Sequence, residues 1–338
     1  MFIRTILFEG EPDWLAHTLA HASESSAPAE VKLADGTVIR RLDTGLLDLI
    51  PADADDRRLI ISAGVHGNET APIEVVNGLL NELIDGRWAL GRRTLLILGN
   101  PPSMVAGDRF VEHNMNRLFS GAHAKAEYAG SDEATRAAQL EQACRDFAGN
   151  AQDVVHYDLH TAIRPSLREK FALYPFVAGR QVPQSQCDFL LEADVHTLLL
   201  QHKAGTTFSS FSSSHLGAES FTIELGKVRP FGQNDLLRFK GIENALRRLI
   251  ADEPTPPPRD SDELTVFEVV HEILNTGDRF RFHVPDDVSN FTPYKPGTVI
   301  WEDDETQYRV GDRPEAIVFP NRNVPVGQRV GLLVREKA

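Results

Sequence analysis

The segment that most limits what this chain can fold into is residues 59–76, LIISAGVHGNETAPIEVV. Leu59, Ile60 and Ile61 open an apolar, β-branched run of the kind that makes a buried strand, and residues 71–83 carry apolar side chains at helical spacing. Between them lies a tight polar turn, residues 64–70. Gly64 and Gly67 permit the backbone conformations such a turn needs, Thr70 is suited to capping the helix, and Pro72 fits its first turn. A strand end followed by a helix start is where open α/β sheets bind their ligands. His66 and Glu69 stand in that turn, with a glycine between them to bend the chain so that both side chains converge. An imidazole and a carboxylate aimed at one point supply two ligands of a catalytic zinc site, which also needs a third ligand and an open position for water. A His-x-x-Glu pair recurs by chance in many chains, so its weight comes from its place in the turn and from a third ligand downstream.

That third ligand comes from residues 153–160, DVVHYDLH. Val154, Val155 and Tyr157 favour a strand, which brings His160 to its C-terminal end, on the same sheet edge as His66 and Glu69. His156 and His160 would be a metal pair on a helix; on a strand they lie about 13 Å apart, too far to share an ion. His160 is therefore the ligand and His156 structural. Asp158, two residues before His160, points to the same face and is either an acceptor behind that ligand or a structural group.

The remaining chain divides into recognisable pieces. Residues 14–21 read as a helix, 31–40 as a hairpin about Asp35-Gly36, and 46–50 and 93–98 as strands, the last ending in the turn Gly99-Asn100-Pro101-Pro102. Residues 105–119 form a loop that gathers Arg109, Asn114, Asn116 and Arg117; arginine suits paired hydrogen bonds to carboxylates, and the plain alternative is a solvated loop. Residues 134–148 make an amphipathic helix stopped by Gly149. Residues 206–215, TTFSSFSSSH, read as a serine-rich loop, and no G-x-S-x-G elbow surrounds the serines, which disfavours a serine hydrolase. Residues 197–201 and 221–225 are strands, the latter placing Glu224 in an apolar run where a carboxylate is costly unless paired or catalytic. Residues 236–250 form a long amphipathic helix. These elements make a mixed α/β catalytic domain over residues 1–251, followed by a proline-rich linker at 252–262 and a smaller all-β domain at 263–338.

Composition excludes several classes. A chain of 338 residues, 41% hydrophobic and 25% charged, has the make-up of a soluble globular protein with room for a large core. No apolar run approaches bilayer length and acidic residues come too early for a signal peptide, so the expected location is cytoplasmic, without a membrane partner. Cys144 and Cys187 are too few for a disulfide framework and lack CxxC spacing. The formal net charge of −14 repels phosphate backbones, which excludes nucleic acid as the expected partner. An anionic small molecule would need cations concentrated at the site. Sequence leaves a homo-oligomer open.

Taken in order, GVHGNETAP (residues 64–72), DRF and NMNR within 108–117, DLHTAIR (158–164) and ELGKVRPFGQND (224–235) resemble the succinylglutamate desuccinylase and aspartoacylase family, a branch of the zinc carboxypeptidase-like hydrolases. The resemblance runs through FPN near Pro320 and so covers nearly the whole chain. It implies a zinc carboxypeptidase-like mixed sheet flanked by helices and one Zn2+ per chain on His66, Glu69 and His160. It also puts the general base at Glu224, an arginine polarising the scissile carbonyl at Arg109, and a substrate-binding pair at Asn116 and Arg117. The phrases ISAGVHGNETAP, ILGNPP, DLHTAIR and PFGQND are most similar to the desuccinylase branch, which implies hydrolysis of N-succinylglutamate, the final step of arginine breakdown through succinylated intermediates. With three carboxylates on that substrate, Arg164 and Lys227 join Arg117 as candidate binding cations. Aspartoacylase has a further substrate-binding arginine and a C-terminal tyrosine; Ser214 and residues 320–326 lie where these would fall, which disfavours acetylaspartate. The alternatives are an N-acyl amino acid deacylase of another specificity, a zinc carboxypeptidase acting on peptides, or a non-catalytic module with a closed structural zinc site.

Overall fold

A computed structural model describes residues 2–257 and 263–337. The helices are α1 (Phe2–Phe8), α2 (Trp14–Ala20), α3 (Thr70–Ile84), α4 (Pro101–Ala106), α5 (Asp132–Ala148), α6 (Gln184–Glu192), α7 (Phe208–His215) and α8 (Lys240–Ile250). The strands are β1 (Ala29–Lys32), β2 (Val38–Asp43), β3 (Leu46–Ile50), β4 (Arg58–Ala63), β5 (Thr94–Leu98), β6 (Val154–Ala162), β7 (Phe171–Tyr174), β8 (Thr197–Leu200), β9 (Glu219–Lys227), β10 (Thr265–Leu274), β11 (Arg281–Phe282), β12 (Thr292–Tyr294), β13 (Val299–Glu302), β14 (Gln307–Arg309), β15 (Glu315–Val318) and β16 (Arg329–Glu336). Thirteen of them join one mixed sheet in the order β1-β2-β3-β5-β4-β6-β9-β7-β8-β10-β16-β15-β12.

Its centre is the parallel run β5-β4-β6-β9. These strands are apolar on both faces because both are covered. Leu59 and Ile61 of β4 belong to the core shared with α3, α6 and α8, whereas Ile60 belongs to the core of α5 and α7 with Phe147, Phe208 and Phe211. The carboxyl ends of β4, β6 and β9 therefore lie side by side at one edge of a rigid sheet.

The C-terminal strands expected as a separate small domain are present, but they are fused to the main sheet. β10 pairs in parallel with β8, Phe267 opposite Leu199, and β16, β15 and β12 continue outward; only β11-β13-β14 forms a sheet of its own. Of the expected linker, residues 258–262 lie outside the described residues.

Four local expectations are corrected. Residues 208–215 are the buried helix α7 and not a loop: Thr207 caps it, and Phe208 and Phe211 are fully buried beneath it. Thr70 does not cap α3; it is the helix's first residue, and its hydroxyl donates to the Arg229 carbonyl at 2.6 Å. The prolines after Asn100 start α4 instead of prolonging a turn, as proline does at a first helical position, with the Asn100 side chain as cap. The helix expected over 236–250 begins as a 3-10 turn, Leu236–Phe239, before α8.

Candidate active site

The turn between β4 and α3 is shaped by close approach. Gly64 has φ +67°, and a Cβ on Gly67 would lie 2.1 Å from the Ser103 carbonyl carbon in α4, so no larger residue fits at 67. The Gly67 N–H donates to the Arg109 carbonyl at 3.3 Å, which ties this turn to the loop after α4. The turn thus presents His66 and Glu69, both buried, toward the end of β6, where His160 is also buried.

Potential ligand atoms of His66, Glu69 and His160 all lie within 4.8 Å of one another. His66 Nδ1 is 2.9 Å from Glu69 Oε1, and His160 Nδ1 is 2.8 Å from Glu69 Oε2. The far side of each ring fixes its proton. Asn114 Oδ1 accepts from the Asn116 N–H at 3.1 Å and faces His66 Nε2 at 3.0 Å, so that ring nitrogen donates. Asp158 Oδ2 faces His160 Nε2 at 2.8 Å, and a carboxylate only accepts, so that nitrogen donates too. With one proton apiece, both rings would turn a lone pair on Nδ1 toward the Glu69 carboxylate, and among the described residues His66 Nδ1 makes no hydrogen bond despite its 2.9 Å contact. Acceptors facing one another in a dry site repel unless a cation or a proton sits among them. Two imidazoles and a carboxylate, each imidazole backed by an oxygen acceptor, are the donor set and outer shell of a zinc site, and the residues fit that ion.

The charges follow from this crowding. Burial by itself would raise Glu69, but His66 and His160 outweigh it and hold the carboxyl well below its usual range. Burial lowers His66 against the pull of Glu69. For His160 burial loses to the flanking Asp158 and Glu69 carboxylates, and the ring is held well above its usual range.

Glu224 stands directly opposite His160 in the parallel β6–β9 register, one strand spacing of about 4.8 Å away. It is buried, and its Oε2 has no hydrogen-bond partner among the described residues. Burial and the nearby Glu69 charge, partly offset by His160 and Arg109, push its carboxyl up to about 7. A carboxylate poised near neutrality with a free oxygen is equipped to take and return a proton.

The other candidates are spread from this centre outward. Arg109 Nη1 donates to Glu69 Oε1 at 2.7 Å, and among the described residues its remaining N–H groups are uncommitted. Asn116 Oδ1 accepts the Phe208 N–H at the start of α7 at 2.9 Å, which leaves its amide donors free. Arg117 Nη1 donates to the Asn116 carbonyl at 2.8 Å and has no carboxylate partner among the described residues. The protein mass around it, with the positive charges of Arg329 and Arg109, pulls it down to about 10, so it remains cationic. Arg164 is drawn away to the backbone carbonyl of Asp286, and Lys227 is exposed at the end of β9.

Sequence reasoning missed several supports. Glu133, buried at the start of α5, accepts the N–H groups of Val111 at 2.7 Å, Glu112 at 3.1 Å and His113 at 3.4 Å, and so anchors the loop carrying Arg109 and Arg117. Asn114 was visible only as one polar loop residue among several. A second ligand-like group, Glu9, His17 and His21, is closed to a cation: Arg41 donates to His17 Nε2 at 2.7 Å and to Glu9 Oε1 at 2.5 Å.

Comparison with known proteins gives this site a family. The succinylglutamate desuccinylase/aspartoacylase catalytic domain matches residues 55–250, and the AstE/AspA barrel-sandwich hybrid domain matches residues 262–337. The succinylglutamate desuccinylase of Shewanella frigidimarina is 42% identical over 323 residues, covering 95% of this chain and 94% of that protein. The solved structure of the Chromobacterium violaceum succinylglutamate desuccinylase superposes with a TM-score of 0.86 at 38% identity, covering 97% of this chain and 98% of that one. The Vibrio parahaemolyticus desuccinylase structure superposes at 0.89 with 34% identity, covering 96% and 95%. Fold and relatives thus define a hydrolytic enzyme. The chain belongs to the succinylglutamate desuccinylase/aspartoacylase family.

Proposed function

We propose that this protein is a Zn2+-dependent amidohydrolase that cleaves N-succinyl-L-glutamate to succinate and L-glutamate, in the cytoplasm, as the last step of arginine catabolism by succinylated intermediates. The observation that carries the reaction type is Glu224: a buried carboxylate with a free Oε2, in register with His160 beside the His66–Glu69–His160 convergence. The substrate rests on relatives bearing the desuccinylase name at 42% and 44% identity over most of the chain.

Zn2+ held by His66, Glu69 and His160 would supply a Lewis acid that polarises the amide carbonyl and brings the pKa of a water to about 7. Glu224 takes a proton from the attacking water as the new C–O bond forms. It returns that proton to the glutamate nitrogen as the C–N bond breaks, leaving a carboxylic acid and an amine that settle as carboxylate and ammonium. Arg109, through its uncommitted N–H groups, donates to the carbonyl oxygen where negative charge develops; a donor of this kind contributes about 3 kcal/mol. Arg117 and the free amide of Asn116 bind substrate carboxylates, with Arg164 and Lys227 as outer cations.

The test is turnover of N-succinylglutamate and N-acetylaspartate by the purified chain. A kcat/KM at least about 100-fold in favour of succinylglutamate is expected, the upper range for a difference of one methylene group and below that for an unpaired polar site. Equal rates, or faster cleavage of peptides, would contradict the reading.

A further inference from the structure

Behind the candidate metal centre runs a line of polar side chains through the apolar core that the proposed reaction does not use. Ser212 of α7, His156 and Asp158 of β6, and Ser62 of β4 are all fully or nearly fully buried. Ser62 Oγ lies 2.6 Å from Asp158 Oδ1 and 2.8 Å from His156 Nε2; His156 Nδ1 lies 2.7 Å from Ser212 Oγ.

The proton directions along this line are forced by chemistry. Asp158 Oδ1 only accepts, so the single Ser62 proton goes to it. Ser62 Oγ must then accept from His156 Nε2–H. Burial draws His156 down to about 4, so the ring is neutral and carries one proton, and its Nδ1 accepts the Ser212 hydroxyl at 2.7 Å, closer than the Phe208 carbonyl at 3.3 Å that the same hydroxyl faces. Every bond in the chain therefore points the same way: Ser212 to His156, His156 to Ser62, Ser62 to Asp158. Asp158 is met from the opposite side by His160 Nε2–H at 2.8 Å. Aligned hydrogen bonds polarise one another, and this line delivers its positive end to the carboxylate that sets which nitrogen of His160 is free.

We propose that Ser62, His156 and Ser212 are positioning residues that fix the Asp158 side chain against His160 Nε2 and thereby present His160 Nδ1 as a metal ligand. The inference rests on the reading of His160 as a ligand. Phe208, edge-on to His156 with ring centroids 4.7 Å apart, keeps the line dry and fixes the ring. Ser212 touches no candidate ligand, so its effect on the metal travels only through His156 and Ser62.

Two measurements on the full-length chain test it. In the metal-free protein, side-chain 15N NMR should find His156 neutral with its proton on Nε2; a proton on Nδ1 would reverse the line and overturn the proposal. Competition with a chelator gives the second readout. Ser62→Ala should weaken Zn2+ binding about tenfold, the scale for residues behind a ligand, and Ser212→Ala should weaken it severalfold, with Ser212→Thr restoring it. Ser213, a buried neighbour whose hydroxyl among the described residues bonds only the Ala218 carbonyl, is the control, and Ser213→Ala should leave affinity unchanged. Equal affinities in the Ser212→Ala and Ser213→Ala proteins would assign Ser212 a purely structural role. Failure of the wild-type chain to bind Zn2+ would remove the metal reading itself, and the tautomer measurement keeps the two failures apart.

Discussion

Glu69 is approached from four directions: Arg109 Nη1 and His66 Nδ1 at Oε1, and His160 Nδ1 and the Thr161 N–H at Oε2. Two of these approaches are imidazole nitrogens whose far sides already donate, and that is why a cation suits the position. Removing His160 leaves an imidazole and a carboxylate, too few to hold the ion, so His160→Ala should be isolated with no metal. The wild type should carry one Zn2+ per chain and not two, because Arg41 fills the other histidine cluster; two ions in the wild type, or one in His160→Ala, would contradict the assignment. At this scale much was legible. His66, Glu69, His160 and Glu224 announce themselves because their side chains are out of place at the ends of apolar strands, and Asp158 follows from strand parity. Asn114 and Glu133 were not legible, since their roles depend on bonds across 48 and up to 22 residues of chain.

Among the elements, the parallel strands were the most readable, because strands covered on both faces show as short continuous apolar runs. Helix α7 was the least. Five of its eight residues are serines, which hides it from a periodicity reading, yet they are tolerated in a helix because Thr207 caps it and the flanking phenylalanines are buried. This misreading concealed Ser212 and with it the partner of His156. A buried neutral His156 has a consequence for the element it holds. The folded ring sits near 4 and the unfolded ring near 6.5, so the unfolded chain takes up a proton first as pH falls. This contribution to stability is whole above pH 6.5 and is lost on the way down to about 4. His156→Gln should show a stability whose slope across that window is shallower than wild type by about 1.4 kcal/mol per pH unit in chemical denaturation with chelator present. Parallel slopes would contradict a neutral buried ring.

On the scale of the whole molecule, the formal net charge of −14 makes the arginines around the site conspicuous. Arg117 lacks a carboxylate partner among the described residues and feels the charge of Arg329, which opens β16 in the C-terminal segment. The connection is physical. The Phe119 N–H is bonded to the Thr206 carbonyl, Lys203 of the same stretch pairs with Glu272 of β10, and β10 sets Leu274 opposite Arg329. A substrate with three carboxylates would therefore meet positive charge from both parts of the chain. Arg329→Gln should raise KM for N-succinylglutamate about tenfold, the worth of one charge-assisted hydrogen bond, while kcat stays within about twofold; an unchanged KM would place Arg329 outside the binding field. Sequence reading separated the two parts because composition changes sharply at the proline-rich stretch. It could not see that β8 and β10 pair, since strand partners are fixed by contacts that no local pattern encodes. Glu224 is expected to move the proton in amide cleavage while taking no part in holding the metal. The most direct test is kcat of a metal-replete Glu224→Gln protein on N-succinylglutamate: a fall of about 100-fold to 10,000-fold with one Zn2+ retained is predicted, and a rate equal to wild type would contradict it.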